Sequence, residues 1–224
     1  MELVRGRIAR AAGKVRREPD EITLVGVSKT FPAGAIREAY AAGLRHFGEN
    51  RIQEWESKRA ELADVQAKLH FIGHLQSNKS RRAAHLFDRV DSVDRVGLAR
   101  KLHSAASDEE KRLSVLIEVR LGDEPTKSGA HESDLLPLAE EIIRLPCLHL
   151  LGLMTVPPHF DDPEQARPHF RRLRELREGL SLKLGSPLPV LSMGMSHDFE
   201  VAVEEGATEI RVGTGIFGRR DSQQ

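Results

Sequence analysis

Short β-branched runs alternate along the chain with longer stretches whose apolar positions recur every three or four residues. ITLVGV (residues 22–27) and LSVLIEV (residues 113–119) are short and rich in β-branched side chains, so they read as strands. The same criterion predicts strands at Ile22–Val27, Arg45–Gly48, Leu69–Gly73, Arg89–Ser92, Ser114–Val119, Leu148–Met154, Pro189–Ser192 and Glu209–Val212. Between them the period becomes helical. Val4, Ile8, Ala11 and Val15 share one face of an N-terminal helix, and Pro32–Ala42 forms a second. Ile52, Trp55, Arg59 and Leu62 mark the next, followed by Asn78–Leu86 and Asp94–Ala106. Leu135, Leu138, Ile142 and Leu145 line one stripe, and Ala166, Phe170, Leu173, Leu180 and Leu184 another. Ser196–Glu205, closed by Gly206, is the last full helix.

Eight strands, the first seven each followed by a helix, imply parallel pairing. Eight such units in 224 residues fit a closed (β/α)8, or TIM, barrel, with an open doubly wound sheet as the competing arrangement. No Pro/Gly/Ser-rich linker divides the chain. The expected organisation is one α/β domain over residues 1–224, with an extra N-terminal helix over about 1–18 and a tail over about 219–224.

Charge and composition narrow the function. Lys+Arg and Asp+Glu both number 34, which excludes a globally basic nucleic-acid binder. Aromatic residues are only 4% of the chain, too few for base-stacking platforms. The single cysteine, Cys147, makes neither an internal disulfide nor a Cys-rich zinc site and suits a reducing cytoplasm. No apolar run approaches the roughly 18 residues of a membrane span. Zero net charge and polar helix faces are compatible with a monomer.

In a parallel barrel the loops after the strands form the functional face. Gly213-Thr214-Gly215 follows the eighth strand, and Ser196 opens the helix after the seventh. Glycine turns and helix-initial N–H groups at these two places point to phosphate binding, although tight turns and a plain helix cap explain each alone. Lys29 ends the first apolar run. A lysine amine, ordinarily near pKa 10.4, becomes nucleophilic when desolvated. Lys29 either forms an imine with a phosphorylated aldehyde or pairs with an anion. Arg211 could clamp a phosphate, pair with Glu209 or another acid, or face a ring nitrogen, with an ion pair as the default. His70 and His74 fall on one side of a strand, but no third metal ligand is apparent. Asp91 and Asp94 flank a strand end, where Asp94 fits a helix cap. His159 and His197-Asp198 lack a Ser or Cys partner, so a hydrolase triad is not expected. Lys79 and Lys127 lie in loops of the functional face.

The stretches VGVSKTFP, HFGENRIQE, LHFIGHLQSNK, TKSG, GLMTV and LSMGMSHDFEVAVEEGATEIRVGTGIFG, in this order, resemble the pyridoxal 5′-phosphate homeostasis protein family, also called YggS/PROSC. That family is similar to the N-terminal barrel of alanine racemase without the racemase's β-rich second domain. The resemblance implies a pyridoxal 5′-phosphate carrier that buffers the cofactor or delivers it to apo-forms of dependent enzymes, without strong turnover. It implies an imine at Lys29, phosphate contacts from Ser196, Gly213 and Thr214, and Arg211 facing the pyridine nitrogen. Asn50 and Met193 would line the pocket, and Lys79 and Lys127 match positions near its mouth. Phe31 departs from the pattern, because many relatives carry a second lysine there. Related racemases take a catalytic tyrosine from the second domain, whereas this chain has only Tyr40. The alternatives are a weak amino-acid racemase or decarboxylase on the same cofactor, a Schiff-base aldolase or phosphosugar isomerase without it, and an interaction protein with a vestigial ligand.

Overall fold

Eight parallel strands pair in sequence order, and the eighth returns to the first to close a barrel. They are β1 (Thr23–Val27), β2 (His46–Glu49), β3 (Lys68–Phe71), β4 (Arg89–Val93), β5 (Leu113–Glu118), β6 (Leu148–Met154), β7 (Val190–Ser192) and β8 (Glu209–Val212). In the computed structural model, residues 1–122 and 128–218 are described. Lys127 and the expected tail over 219–224 lie outside the described residues. The open doubly wound sheet is excluded by the β1–β8 pairing, which sets Val25 opposite Arg211.

The surrounding helices follow the sequence periodicity. They are α1 (Glu2–Lys14), α2 (Ala33–Ala41), α3 (Ile52–Arg59), α4 (Ser80–Leu86), α5 (Val96–Asp108), α6 (Leu135–Arg144), α7 (Arg167–Leu184), α8 (Phe199–Glu204) and the short α9 (Thr214–Phe217). α1 buries Val4, Ile8, Ala11 and Ala12, and Arg7 and Lys14 pair with Glu200 and Glu204 of α8 at 2.8 Å each. No helix among the described residues is long and apolar enough to cross a membrane. Several boundaries move by one or two residues, and two shifts concern residues singled out in the sequence. α5 is preceded by Arg95, and Asp94 pairs with the Arg95 side chain at 2.5 Å instead of capping the helix. α8 starts three residues later than expected, for a reason that bears on the site below.

Strand alternation divides the buried residues into two sets. Phe47, Phe71, Val90, Val115, Ile117, Leu153 and Ile210 face the helices and join the main apolar core. Val25, Val27, Leu116 and Met154 are equally buried but stand apart from that core, inside the barrel. The rest of the interior is polar, where most such barrels are filled by apolar layers. Arg89 donates from Nε to Asp91 at 2.6 Å and from Nη2 to both Glu209 oxygens at 2.6 Å. His70 lies beside these carboxylates, and its Nε2 is 3.0 Å from His46 Nδ1.

A third metal ligand is therefore present in space: atoms of His70, Asp91 and Glu209 lie within 4.8 Å of one another. The guanidinium of Arg89 already bonds to both carboxylates, so an internal cation occupies the place a metal would take. His74, past the end of β3, is exposed near Asp94 and does not share this cluster.

Burial alone would raise the Asp91 carboxyl, but the charge of Arg89 and its hydrogen bonds outweigh it and hold it well below the usual carboxylate range. Among the described residues, Glu118 has no such ion pair. Burial pushes it up to about 7, with the hydrogen bond from Ser128 opposing.

Two outcomes follow from these charges. Arg89→Met strands two buried carboxylates and is expected to cost about 3–5 kcal/mol of unfolding free energy in urea titrations at pH 7. In the wild type, the contribution from the depressed Asp91 is present above its unfolded pKa of about 4 and is lost as pH falls further. Glu118 works in the opposite sense. Its folded pKa is raised, so the native state binds the extra proton between about pH 4.5 and 7 and loses stability as pH rises through that window. Glu118→Gln is expected to remove this loss, leaving the variant more stable than the wild type at pH 8 by on the order of 3 kcal/mol, with little difference at pH 4. Parallel urea titrations of both proteins check it.

Candidate functional site

The C-terminal ends of the strands enclose a cavity of about 330 Å³. Lys29, Asn50, Ser196, Arg211, Gly213 and Thr214 all line it. Val27, Ile72, Val156, Met195 and His197 complete the wall. A cleft of about 430 Å³ opens at the opposite end beside Arg5, Asp20 and Arg45, but it gathers none of the expected residues.

Each side chain arrives by a local rule. Val25 and Val27 of β1 face the interior, and the chain then turns, with the Phe31 N–H donating to the Ser28 carbonyl at 3.1 Å. Lys29 lies in that turn and lines the cavity half-buried. Asn50 follows β2 and is held against β3, where Gly73 allows close approach: a Cβ there would collide with the Asn50 backbone. Ser196 belongs to the loop after β7. Its Oγ accepts the N–H groups of Gly213 at 3.3 Å and Gly215 at 3.5 Å, tying the loops after β7 and β8 together.

Ser196 does not open a helix, which corrects the sequence expectation. Asp198 precedes α8, and its Oδ1 accepts the Met195 N–H at 2.6 Å. The serine is thereby left to face the β8 loop.

Arg211 is buried and makes no ion pair with Glu209, which Arg89 has taken. Its Nη1 donates to Ser192 Oγ at 2.6 Å and its Nη2 to the Thr155 carbonyl at 2.7 Å. Burial pulls the guanidinium below its ordinary value, with Glu209, Asp91 and Glu118 pulling the other way. An arginine so placed keeps its proton at neutral pH.

Two expected residues, Met193 and Lys79, do not line the cavity. Met193 is buried in the core between sheet and helices, because Ser192 points inward to Arg211 and the next side chain must point outward. Gly194, at φ 91°, then reverses the chain, and Met195 takes the place at the cavity. Lys79 sits in a short turn before α4 and does not line the cavity. Phe31 stacks on Phe217 of α9 with ring centroids 5.1 Å apart, outside the cavity wall. Among the wall residues missed, Val27 and Ile72 lie two positions beyond the inward-facing Val25 and His70, so strand register would have found them. His197 carried no signal beyond its place after Ser196; its ring nitrogen meets the Asp161 carbonyl at 3.0 Å.

Residues 5–221 match the family model of the alanine racemase N-terminal domain. The pyridoxal phosphate homeostasis protein of Pseudomonas aeruginosa is 48% identical over 218 residues, which cover 97% of this chain and 93% of that one. Its counterpart in Aquifex aeolicus is 46% identical over 214 residues, covering 96% and 94%. The solved structure of PipY from Synechococcus elongatus with pyridoxal phosphate bound superposes with a TM-score of 0.85 at 40% identity, over 94% of this chain and 100% of that one. The barrel, the rim cavity and these likenesses agree, and the chain belongs to the pyridoxal phosphate homeostasis protein family.

Proposed function

We propose that this chain binds pyridoxal 5′-phosphate at the rim cavity through Lys29 and serves as a carrier that buffers and releases it, without strong turnover of its own. The observation that carries this reading is the convergence of a lysine amine, two anion-facing loops and a fixed guanidinium on one cavity of about 330 Å³. The bound cofactor seen in the Synechococcus relative supports it.

The donor set suits the three ends of that molecule. At 3.3 and 3.5 Å, the N–H bonds to Ser196 Oγ are long. A phosphate oxygen can take them over while the hydroxyl turns to donate, with Thr214 adjoining. Arg211 has two of its nitrogens engaged by Ser192 and Thr155 and retains N–H capacity for a ring nitrogen. Lys29 supplies the amine, and Asn50 adjoins it across the cavity.

When bound, the cofactor supplies an aldehyde for condensation and a ring that withdraws electrons. Arg211 limits the second property. A guanidinium keeps its own proton and leaves the ring nitrogen unprotonated, which weakens the electron sink. Racemisation also requires an acid–base group on each face of the reacting carbon. The only tyrosine, Tyr40, lies under the Arg45 guanidinium, 4.2 Å from its ring centroid, beside the N-terminal ends of the strands. Binding with slow chemistry is the behaviour of a carrier. Release to apo-forms of dependent enzymes, by a cytoplasmic monomer, is the role this reading implies.

Borohydride reduction after addition of pyridoxal 5′-phosphate is expected to leave one adduct, on Lys29 by peptide mass spectrometry, and Lys29→Ala to abolish it. An adduct on a different lysine overturns the assignment, and amino-acid turnover that depends on Lys29 overturns the carrier role. Ser196→Ala is expected to weaken pyridoxal 5′-phosphate about three- to tenfold, the worth of one hydrogen bond, while leaving pyridoxal, which lacks the phosphate, unchanged. Fluorescence titration with both compounds distinguishes the two.

A further inference from the structure

The turn that carries Lys29 is strained and held from outside. Thr30 sits at φ 70°, a left-handed conformation that is a rare outlier for a β-branched residue. Such a conformation persists only where the surroundings over-determine it. Here the surroundings come from the end of β2 and from α3. Glu49 Oε1 accepts the Ser28 hydroxyl at 2.7 Å and the Lys58 ammonium at 3.0 Å. Lys58 also donates to the Ser28 carbonyl at 3.0 Å. Glu54, one helical turn before Lys58, accepts the Thr30 N–H at 3.0 Å. The residues on both sides of Lys29 are thus bonded to charged side chains of a single segment.

Stability does not account for this cluster. Glu49 is fully buried, and burial pushes its carboxyl up against the pull of Lys58 and Ser28. Its second oxygen, Oε2, has no hydrogen-bond partner among the described residues. A buried ion pair stabilises a fold little compared with an apolar pair of the same size, and an unsatisfied oxygen costs further. What the cluster secures is direction. Ser28 is drawn outward to Glu49 and Lys58, so Lys29, its neighbour, turns inward to the cavity.

We propose that Glu49, Glu54 and Lys58 are positioning residues for Lys29, holding Ser28 and Thr30 so that the amine meets an aldehyde in the geometry condensation requires. The inference rests on the reading of Lys29 as the amine that takes pyridoxal 5′-phosphate. In that step the neutral amine attacks the aldehyde carbon, a C=N bond forms and the carbonyl oxygen leaves as water, with no oxidation or reduction. A loosened Lys29 hinders this step alone, because the phosphate and ring contacts come from the loops after β7 and β8 and from Arg211.

The test compares pyridoxal 5′-phosphate with pyridoxamine 5′-phosphate, which has the same phosphate and ring but no aldehyde. In Glu49→Gln/Lys58→Met, which removes both buried charges together, affinity for the aldehyde is expected to fall about tenfold or more and borohydride trapping on Lys29 to slow. Affinity for the amine form is expected to stay within about twofold of the wild type. Glu54→Ala, on a half-buried helix position, is expected to give the same split at about threefold, and Glu54→Gln, which keeps an acceptor for the Thr30 N–H, to restore the wild-type values. Equal losses for both compounds, or none for either, overturn the positioning role. A wild-type protein that forms no trapped adduct on Lys29 overturns the reading of the site, and this inference with it.

Discussion

Closing eight strands into a barrel sends every second side chain into a space without bulk water, and in this chain Arg89 meets that constraint. It binds Asp91 and Glu209 at once, with contacts of 2.6 Å to each. Without it, two buried carboxylates would compete for Arg211, which lies on the same strand as Glu209 and within the field of both. Because Arg89 satisfies them, Arg211 bonds to neutral oxygens of Ser192 and Thr155 and remains at the floor of the rim cavity. The ion cluster below is what leaves a fixed positive charge available above.

The site on that floor is built from strand ends that are distant in sequence. Lys29 comes from the turn after β1, Asn50 from the end of β2, Ser196 from the loop after β7, and Gly213 and Thr214 from the segment after β8. The parallel barrel brings them together because all its strands end on the same rim. The Ser196 hydroxyl then couples two neighbouring loops through N–H groups that an anion can share. The cavity so formed gathers the Lys29 amine, the Arg211 guanidinium and the loops after β7 and β8 on one wall.

Strain and burial concentrate around Lys29. Thr30 holds an unfavourable backbone conformation, and Glu49 and Lys58 are charges kept inside the fold next to it. These features oppose stability and make sense as positioning. Glu118, pushed up to about 7 by burial in the interior, adds a group whose charge changes near neutrality within the field of Arg211.

The fold was legible in the sequence because period-two and period-3.6 patterns are local, and eight repetitions of them left few topologies to choose from. Lys29, Ser196, Gly213 and Thr214 were legible from their places after strands, Arg211 from its place within the eighth strand, and Asn50 from the family resemblance. What only the tertiary structure decided was direction and partnership. Met193 and Met195 differ by two positions, yet the left-handed turn at Gly194 sends one to the core and the other to the cavity. Glu209 could have paired with either arginine, and distance across the closed barrel assigned it to Arg89. His70 acquired Asp91 and Glu209 as neighbours from strands far away in sequence. Periodicity specifies which face a side chain takes, whereas its partner depends on strand register and closure, which no local segment contains.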